Sequence, residues 1–209
     1  MIQAFLARQL ARPTGLFGRW IMAPLLNRGN RAMNRLTLEQ LALTPDDRVL
    51  EIGFGGGDLL HQILALPGSF AAGLDLSAEM VARAQRRFRS AVRARRLHLQ
   101  QGTIEALPFP AATFTHVCSV NTLCFWPDVA RALAECRRVL QSDGALMLCF
   151  TARADLERWP GHRHGFRLYD IAELEEHLRA AGFRNIEVTQ GANPQQGRFY
   201  CVRSQPLLA

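Results

Sequence analysis

Val49-Leu50-Glu51-Ile52-Gly53-Phe54-Gly55-Gly56-Gly57-Asp58 is a short apolar run that breaks into glycines and then into a helix-forming stretch. A buried strand, a tight turn and a helix start account for that order. Glycines in such a turn admit positive φ and let the backbone lie close against a ligand. Downstream, Gly73-Leu74-Asp75-Leu76-Ser77 ends a second apolar run on an acid, and an acid at the end of the second strand can accept from both hydroxyls of a ribose. In an open α/β sheet a ligand lies beyond the carboxyl ends of the strands, where the connections reverse direction, and both segments belong at that edge.

The register of the glycines decides what kind of nucleoside ligand fits. A GxGxxG dinucleotide fingerprint would need glycine at position 58, which is Asp58. The pattern here is Glu51-x-Gly53-x-Gly55-x-Gly57, with an acid two residues before the first glycine. A pyrophosphate would be repelled by Glu51 and Asp58, whereas a cationic group would be attracted.

Working outward, short apolar runs alternate with amphipathic stretches, the mark of βαβ units around a parallel sheet. Strands are predicted at 49–53, 70–75, 97–101, 114–120, 145–151, 186–189 and 199–203, with helices near 58–66, 77–92, 128–140 and 170–181. Ser77, Asp128 and Asp170 can cap helix starts, and Gly182 can end the last helix. Before residue 44, apolar residues recur at helical spacing through Phe5, Leu6, Leu10, then Leu16, Trp20, Ile21, Leu25, then Met33, Leu36, Leu41. Two or three short helices are expected there, with breaks at Pro13-Thr14-Gly15 and Asn27 to Asn30. The fold class is thus α/β: a Rossmann-like, seven-stranded, mostly parallel sheet flanked by helices, with an N-terminal helical cap over 1–43 and the main domain over 44–209.

With 209 residues the core can form without staples. The five cysteines make no CxxC pair and have no histidine at metal-ligand spacing, so no metal site is expected, and they read as buried apolar residues in a reducing, cytoplasmic setting. The formal charge of +7 is unevenly spread. Residues 1–38 hold six arginines and no acid, residues 80–104 hold seven and no acid, and the remainder is net acidic. No lysine occurs, so the arginines reflect codon bias better than a nucleic-acid site, and the run from Arg83 to Arg96 fits a solvated helix face. No apolar run is long enough to span a bilayer. Arg8 and Arg12 interrupt the apolar start, unlike a secretory leader, although an Arg-rich, acid-free start leaves an organelle transit peptide open. The basic, amphipathic stretch from Phe5 to Arg35 fits a peripheral membrane contact or a cap over the site.

On these residues the chain resembles the class I S-adenosylmethionine-dependent methyltransferases, and within them the branch of the ubiquinone and menaquinone biosynthesis enzymes, over about 44–190. Three further segments carry the likeness. Gln101-Gly102-Thr103-Ile104-Glu105-Ala106-Leu107-Pro108-Phe109 matches the loop after the third strand. Ser119-Val120-Asn121-Thr122 matches the end of the fourth strand, and Arg138-Val139-Leu140-Gln141-Ser142-Asp143-Gly144 the turn into the fifth. The resemblance implies that S-adenosylmethionine is the cofactor and S-adenosylhomocysteine the product. It also implies that Glu51, Gly53, Phe54, Gly55 and Gly57 line the methionine and ribose parts and that Asp75 holds the ribose. Leu76 and Met80 would pack on the adenine, with Thr103 and Ile104 at its edge and Asn121 beside the methionine end. Thr103 stands where relatives often carry an acid, and Thr115-His116 where many have Phe-Asp.

The activity expected is direct, in-line transfer of a methyl group to a small molecule. His164 and Tyr169, in a long insertion after the fifth strand, are the candidates for a general base, if the acceptor needs one. Methylation of rRNA or tRNA is a second reading, against which stand the absence of an NPP[FY] segment after strand four and of an accessory RNA-binding domain. A lipid-surface methyltransferase and a non-catalytic cofactor-binding protein of the same fold are the others.

Overall fold

The computed structural model describes residues 1–193 and 197–207, with the backbone alone at residues 16, 19 and 20, so the side chains of Leu16 and Trp20 lie outside the description. The chain begins with α1 (Ile2–Ala11), α2 (Gly15–Phe17), a π-helical turn (Gly18–Met22) and α3 (Ala23–Leu41). There follow β1 (Arg48–Ile52), α4 (Asp58–Ala65), β2 (Phe70–Asp75), α5 (Ala78–Arg87), α6 (Arg89–Arg93), β3 (Leu97–Gln101) and β4 (Phe114–Val120). The remainder is α7 (Val129–Val139), β5 (Leu140–Thr151), α8 (Arg153–Leu156), α9 (Ile171–Ala180), β6 (Phe183–Asn193) and β7 (Gly197–Pro206).

The strands form one sheet in the order β3-β2-β1-β4-β5-β7-β6. The first five in that order pair in parallel, whereas β7 runs antiparallel to both β5 and β6. The direction of winding changes between β1 and β4, so the crevice for a ligand opens at their carboxyl ends. Each face of the sheet has its own core. Leu50, Ile52, Leu74 and Leu146 meet Leu133 of α7 and Leu174 and Leu178 of α9 on one side. Val49, Ala71, Cys118 and Met147 meet Met33 and Leu41 of α3, Leu60 of α4 and Met80 of α5 on the other. Removing a fully buried leucine such as Leu133 would cost about 2–5 kcal/mol.

Local chemistry explains the element ends. Ser77, Asp128 and Asp170 each accept a backbone N–H of the first helical turn, from Met80, Arg131 and Glu173, and Asp170 with Glu173 forms a full capping box. Gly182 closes α9 at φ +80°.

Several boundaries differ from the sequence reading. Asn27 to Asn30 break no helix: α3 runs through them, because their side chains and the Gly29 carbonyl are bonded to loops and strands outside the helix. The helix expected over 77–92 divides at Phe88, whose ring turns inward and stacks on His61. The strand expected from Ala145 begins at Leu140 and pairs with Phe114 across a bulge. β6 and β7 outrun the predicted 186–189 and 199–203 because they pair with each other, and β6 is a half-exposed edge strand whose polar end lacks the apolar signal.

Candidate active site

The carboxyl ends of β1, β2 and β4 and the loop after β3 open into a cavity of about 690 Å³, within the usual range for a small-molecule cleft. Its floor is the glycine loop. Gly53 sits at φ +72°, and a Cβ there would strike Thr122 from the loop after β4. Glycine is thus required twice over, by backbone angle and by the close approach of the two loops that flank the winding reversal.

Asp75, at the end of β2, turns back to that loop. Its Oδ2 accepts from the Gly55 N–H at 2.8 Å and its Oδ1 from the Ser77 N–H at 2.9 Å. Each oxygen keeps a lone pair for a ribose hydroxyl. Burial pushes the carboxyl up to about 6, although these two amide bonds pull it down.

Glu51 is the more unusual acid. In a strand residues two apart share a face, so its side chain falls in register with the core residue Val49. It is 4% exposed, and its Oε2 lacks a hydrogen-bond partner. The Leu60 amide in the first turn of α4 donates to the carboxyl. Burial first, and then the charges of Asp75 and Asp58, raise it well above the ordinary carboxylate range. A buried acid surrounded by acids is costly unless a cation completes it.

Of the residues singled out in the sequence, Glu51, Gly53, Phe54, Gly55, Asp75, Leu76, Thr103, Ile104 and Asn121 all line this cavity. The structure puts Gly57 and Met80 outside the lining. Gly57 faces the Phe88 ring, and Met80 is fully buried in the core beneath α5. Neither candidate base lines the cavity: His164 is exposed, and Tyr169 is buried in a small adjoining pocket whose walls include Asn121, Cys124, Thr151 and Leu156, which also line the main cavity.

Asn121 holds a left-handed backbone, φ +58°, and its amide makes two bonds. Oδ1 accepts from Thr151 Oγ1 at 3.0 Å and Nδ2 donates to Asn30 Oδ1 at 3.2 Å. Asn30 belongs to a row that sequence reading missed. Asn27, Asn30 and Asn34 stand at i, i+3 and i+7 on α3, and all three line the cavity. Asn27 donates to the Gly56 carbonyl and Asn34 to Asp58 Oδ2. A polar row at helical spacing inside an amphipathic helix was the available signal. Also missed was an aromatic wall at the other end of the cavity. Phe125 and Trp159 both meet Phe166 edge-on, with ring centroids 4.6 and 5.3 Å apart, and Trp126 donates to Thr122 Oγ1. These aromatics are scattered over 125–166, so no periodicity joins them.

A sheet of this winding, with a glycine loop and an acid converging at its reversal point, is the Rossmann-like architecture of nucleoside-cofactor enzymes. A family model described as a methyltransferase domain matches residues 50–148. The uncharacterized methyltransferase YdaC of Bacillus subtilis is 31% identical over 160 residues, which cover 76% of this chain and 83% of that one. The demethylmenaquinone methyltransferase of Lactiplantibacillus plantarum is 33% identical over 159 residues, 71% of this chain and 66% of that one. Among solved structures, a SAM-dependent methyltransferase from Aquifex aeolicus superposes with a TM-score of 0.73 at 17% identity, covering 89% of this chain and 97% of that one. The chain belongs to the class I S-adenosylmethionine-dependent methyltransferases.

Proposed function

We propose that the cavity binds S-adenosylmethionine and a small-molecule acceptor side by side and that the chain catalyses in-line methyl transfer between them. The observation that carries this reading is the unpartnered, buried Glu51 oxygen beside the glycine loop. An ammonium group would give that oxygen a partner and offset the repulsion from Asp75 and Asp58, whereas a pyrophosphate would add to it.

When bound, the cofactor supplies a methyl group made electrophilic by its sulfonium. The protein's part is to orient and to exclude water. Glu51 faces the amino-acid end, Gly53 and Gly55 give backbone room, and Asp75 receives the ribose hydroxyls. Leu76 and Ile104 flank the adenine, Thr103 sits at its edge, and Asn121 stands beside the methionine end. Residues 1–43 cap the site, with Leu10 and Leu26 in its roof. The aromatic wall of Phe125, Trp126, Trp159 and Phe166 takes the acceptor.

No histidine or tyrosine lines the cavity among the described residues, and its acceptor end carries Asp155, which is already paired with Arg158 and Arg198. The acceptor therefore brings its own nucleophile, and catalysis rests on holding it at near-attack distance in a dry site. Calorimetric titration with S-adenosylmethionine, S-adenosylhomocysteine and NAD tests the reading. Binding of the first two alone supports it, and a preference for NAD, or no heat with any, overturns it. Labelled-methyl transfer to quinol, phenol and amine panels then identifies the acceptor.

A further inference from the structure

The outer side of the N-terminal helices carries what the methyl-transfer reading does not use. Ile2, Phe5, Ile21 and Leu25 are 77%, 41%, 52% and 55% exposed, although each is large and apolar. They belong to one surface. The rings of Phe5 and Phe17 meet at 5.3 Å, which ties α1 to α2, and Phe17, Ile21 and Leu25 follow at intervals of four along one side of a continuous helical run. None of the four exposed residues lines the cavity, whereas Leu10 and Leu26 of the same helices do.

The charge around this surface has one sign. Arg8, Arg12, Arg28, Arg31 and Arg35 are exposed, and no acid occurs before Glu39, which is within 3.6 Å of Arg35. α5 packs against the π-helical turn and carries a further exposed arginine, Arg86. Glu79, the acid that meets this segment from α5, accepts the Gly15 N–H and lies near Arg12. Apolar side chains surrounded by arginines fit the boundary between headgroups and acyl chains of an anionic bilayer, with the side chains in the acyl region and the guanidinium groups on phosphate. A protein partner would need matching acids; RNA would use the arginines but leave Ile2, Ile21 and Leu25 in water.

We infer that this chain docks on anionic lipid through the outer face of α1 and the 15–25 segment, with the roof of its cavity resting on the bilayer. This goes beyond methyl transfer and stands or falls separately from it. The test is flotation of the full chain with vesicles of phosphatidylcholine alone or with phosphatidylglycerol added, at low and high salt, and with tRNA as competitor. The result expected is flotation with phosphatidylglycerol vesicles only, weakened by salt and reduced about tenfold or more in Ile21→Asp/Leu25→Asp. Arg28→Gln/Arg31→Gln should lower binding without abolishing it. Thermal melting reports whether each variant is folded, and an unchanged transition is expected in both. Failure of the unaltered protein to float with phosphatidylglycerol overturns the inference. So does equal flotation of the aspartate variant, or tRNA binding with no response to the apolar substitutions.

Discussion

Asp75 and Gly55 are twenty positions apart in the chain and 2.8 Å apart in space, carboxylate oxygen to amide nitrogen, so the acid expected to hold the ribose also fixes the glycine loop that makes room for it. Because burial raises Asp75 from its ordinary 3.8 to about 6, the folded chain keeps this proton longer than the unfolded one. From this group alone, the unliganded protein is most stable with the proton on and loses stability as pH climbs from about 4 through about 6. A ribose diol donates to the ionised form, so ligand binding runs the other way. Affinity for S-adenosylmethionine should weaken as pH falls below about 6, by up to about tenfold per pH unit for each linked proton. Calorimetry in buffers of different ionisation enthalpy should show protons released on binding near pH 6. Asp75→Asn should remove Asp75's part of that release, leaving the part from Glu51, and it should loosen the loop because an amide has one acceptor atom for two backbone donors.

Glu51→Gln separates charge from shape. The glutamine removes the repulsion from Asp75 and Asp58, so the unliganded protein should hold its melting temperature or gain a few degrees near pH 7.5. Cofactor affinity should drop about 10- to 100-fold, the worth of one charge-assisted hydrogen bond. A variant that binds S-adenosylmethionine as tightly as the original would remove the cationic end from this corner.

The site was legible where a single segment states its own geometry. The Glu51 to Gly57 turn and Asp75 could be read because strand, glycine and acid follow one another in fixed order, and Ser77, Asp128 and Asp170 because a cap lies next to the helix it starts. Met80 was misplaced by the same local logic. It is near Asp75 in sequence, but its position on α5 points it into the core. His164 and Tyr169 were chosen by residue type within a long loop, and type says nothing of direction. Asn27 to Asn30 were read as a break because asparagine and glycine disfavour a helix in isolation, and only the partners that Asn27 and Asn30 bond outside α3 make them part of a helix face. The aromatic wall depends wholly on how 123–127 and 156–166 fold together.

Gly53→Ala should be among the most damaging single-methyl additions to this chain. The backbone angle of +72° costs an alanine about 1–2 kcal/mol, and the new carbon meets Thr122, which is held by Ser119 and Trp126. Thermal melting should fall by several degrees, and cofactor binding should be lost because the loop must shift into the cavity. Pairing it with Thr122→Ser removes the methyl that collides first. Partial recovery of stability in the pair would show that loop-to-loop contact, beyond backbone angle alone, makes the glycine necessary.

Asn121 links the loop after β4 to the roof of the cavity, since its amide bonds both Thr151 at the end of β5 and Asn30 on α3. Asn30→Ala removes only the roof half of that link. Melting temperature should change little, because one partly exposed amide bond contributes about 1 kcal/mol. Amide hydrogen exchange in residues 15–30 should accelerate, and the cofactor should leave faster with little change in the rate at which it binds. Asn121→Gly keeps the left-handed backbone but loses both amide bonds, and it should show the same faster release together with a loss of about 1–2 kcal/mol in stability. Exchange in 15–30 that responds to neither substitution would mean that the roof is held by its apolar contacts with the core, and that the row of asparagines serves the ligand alone.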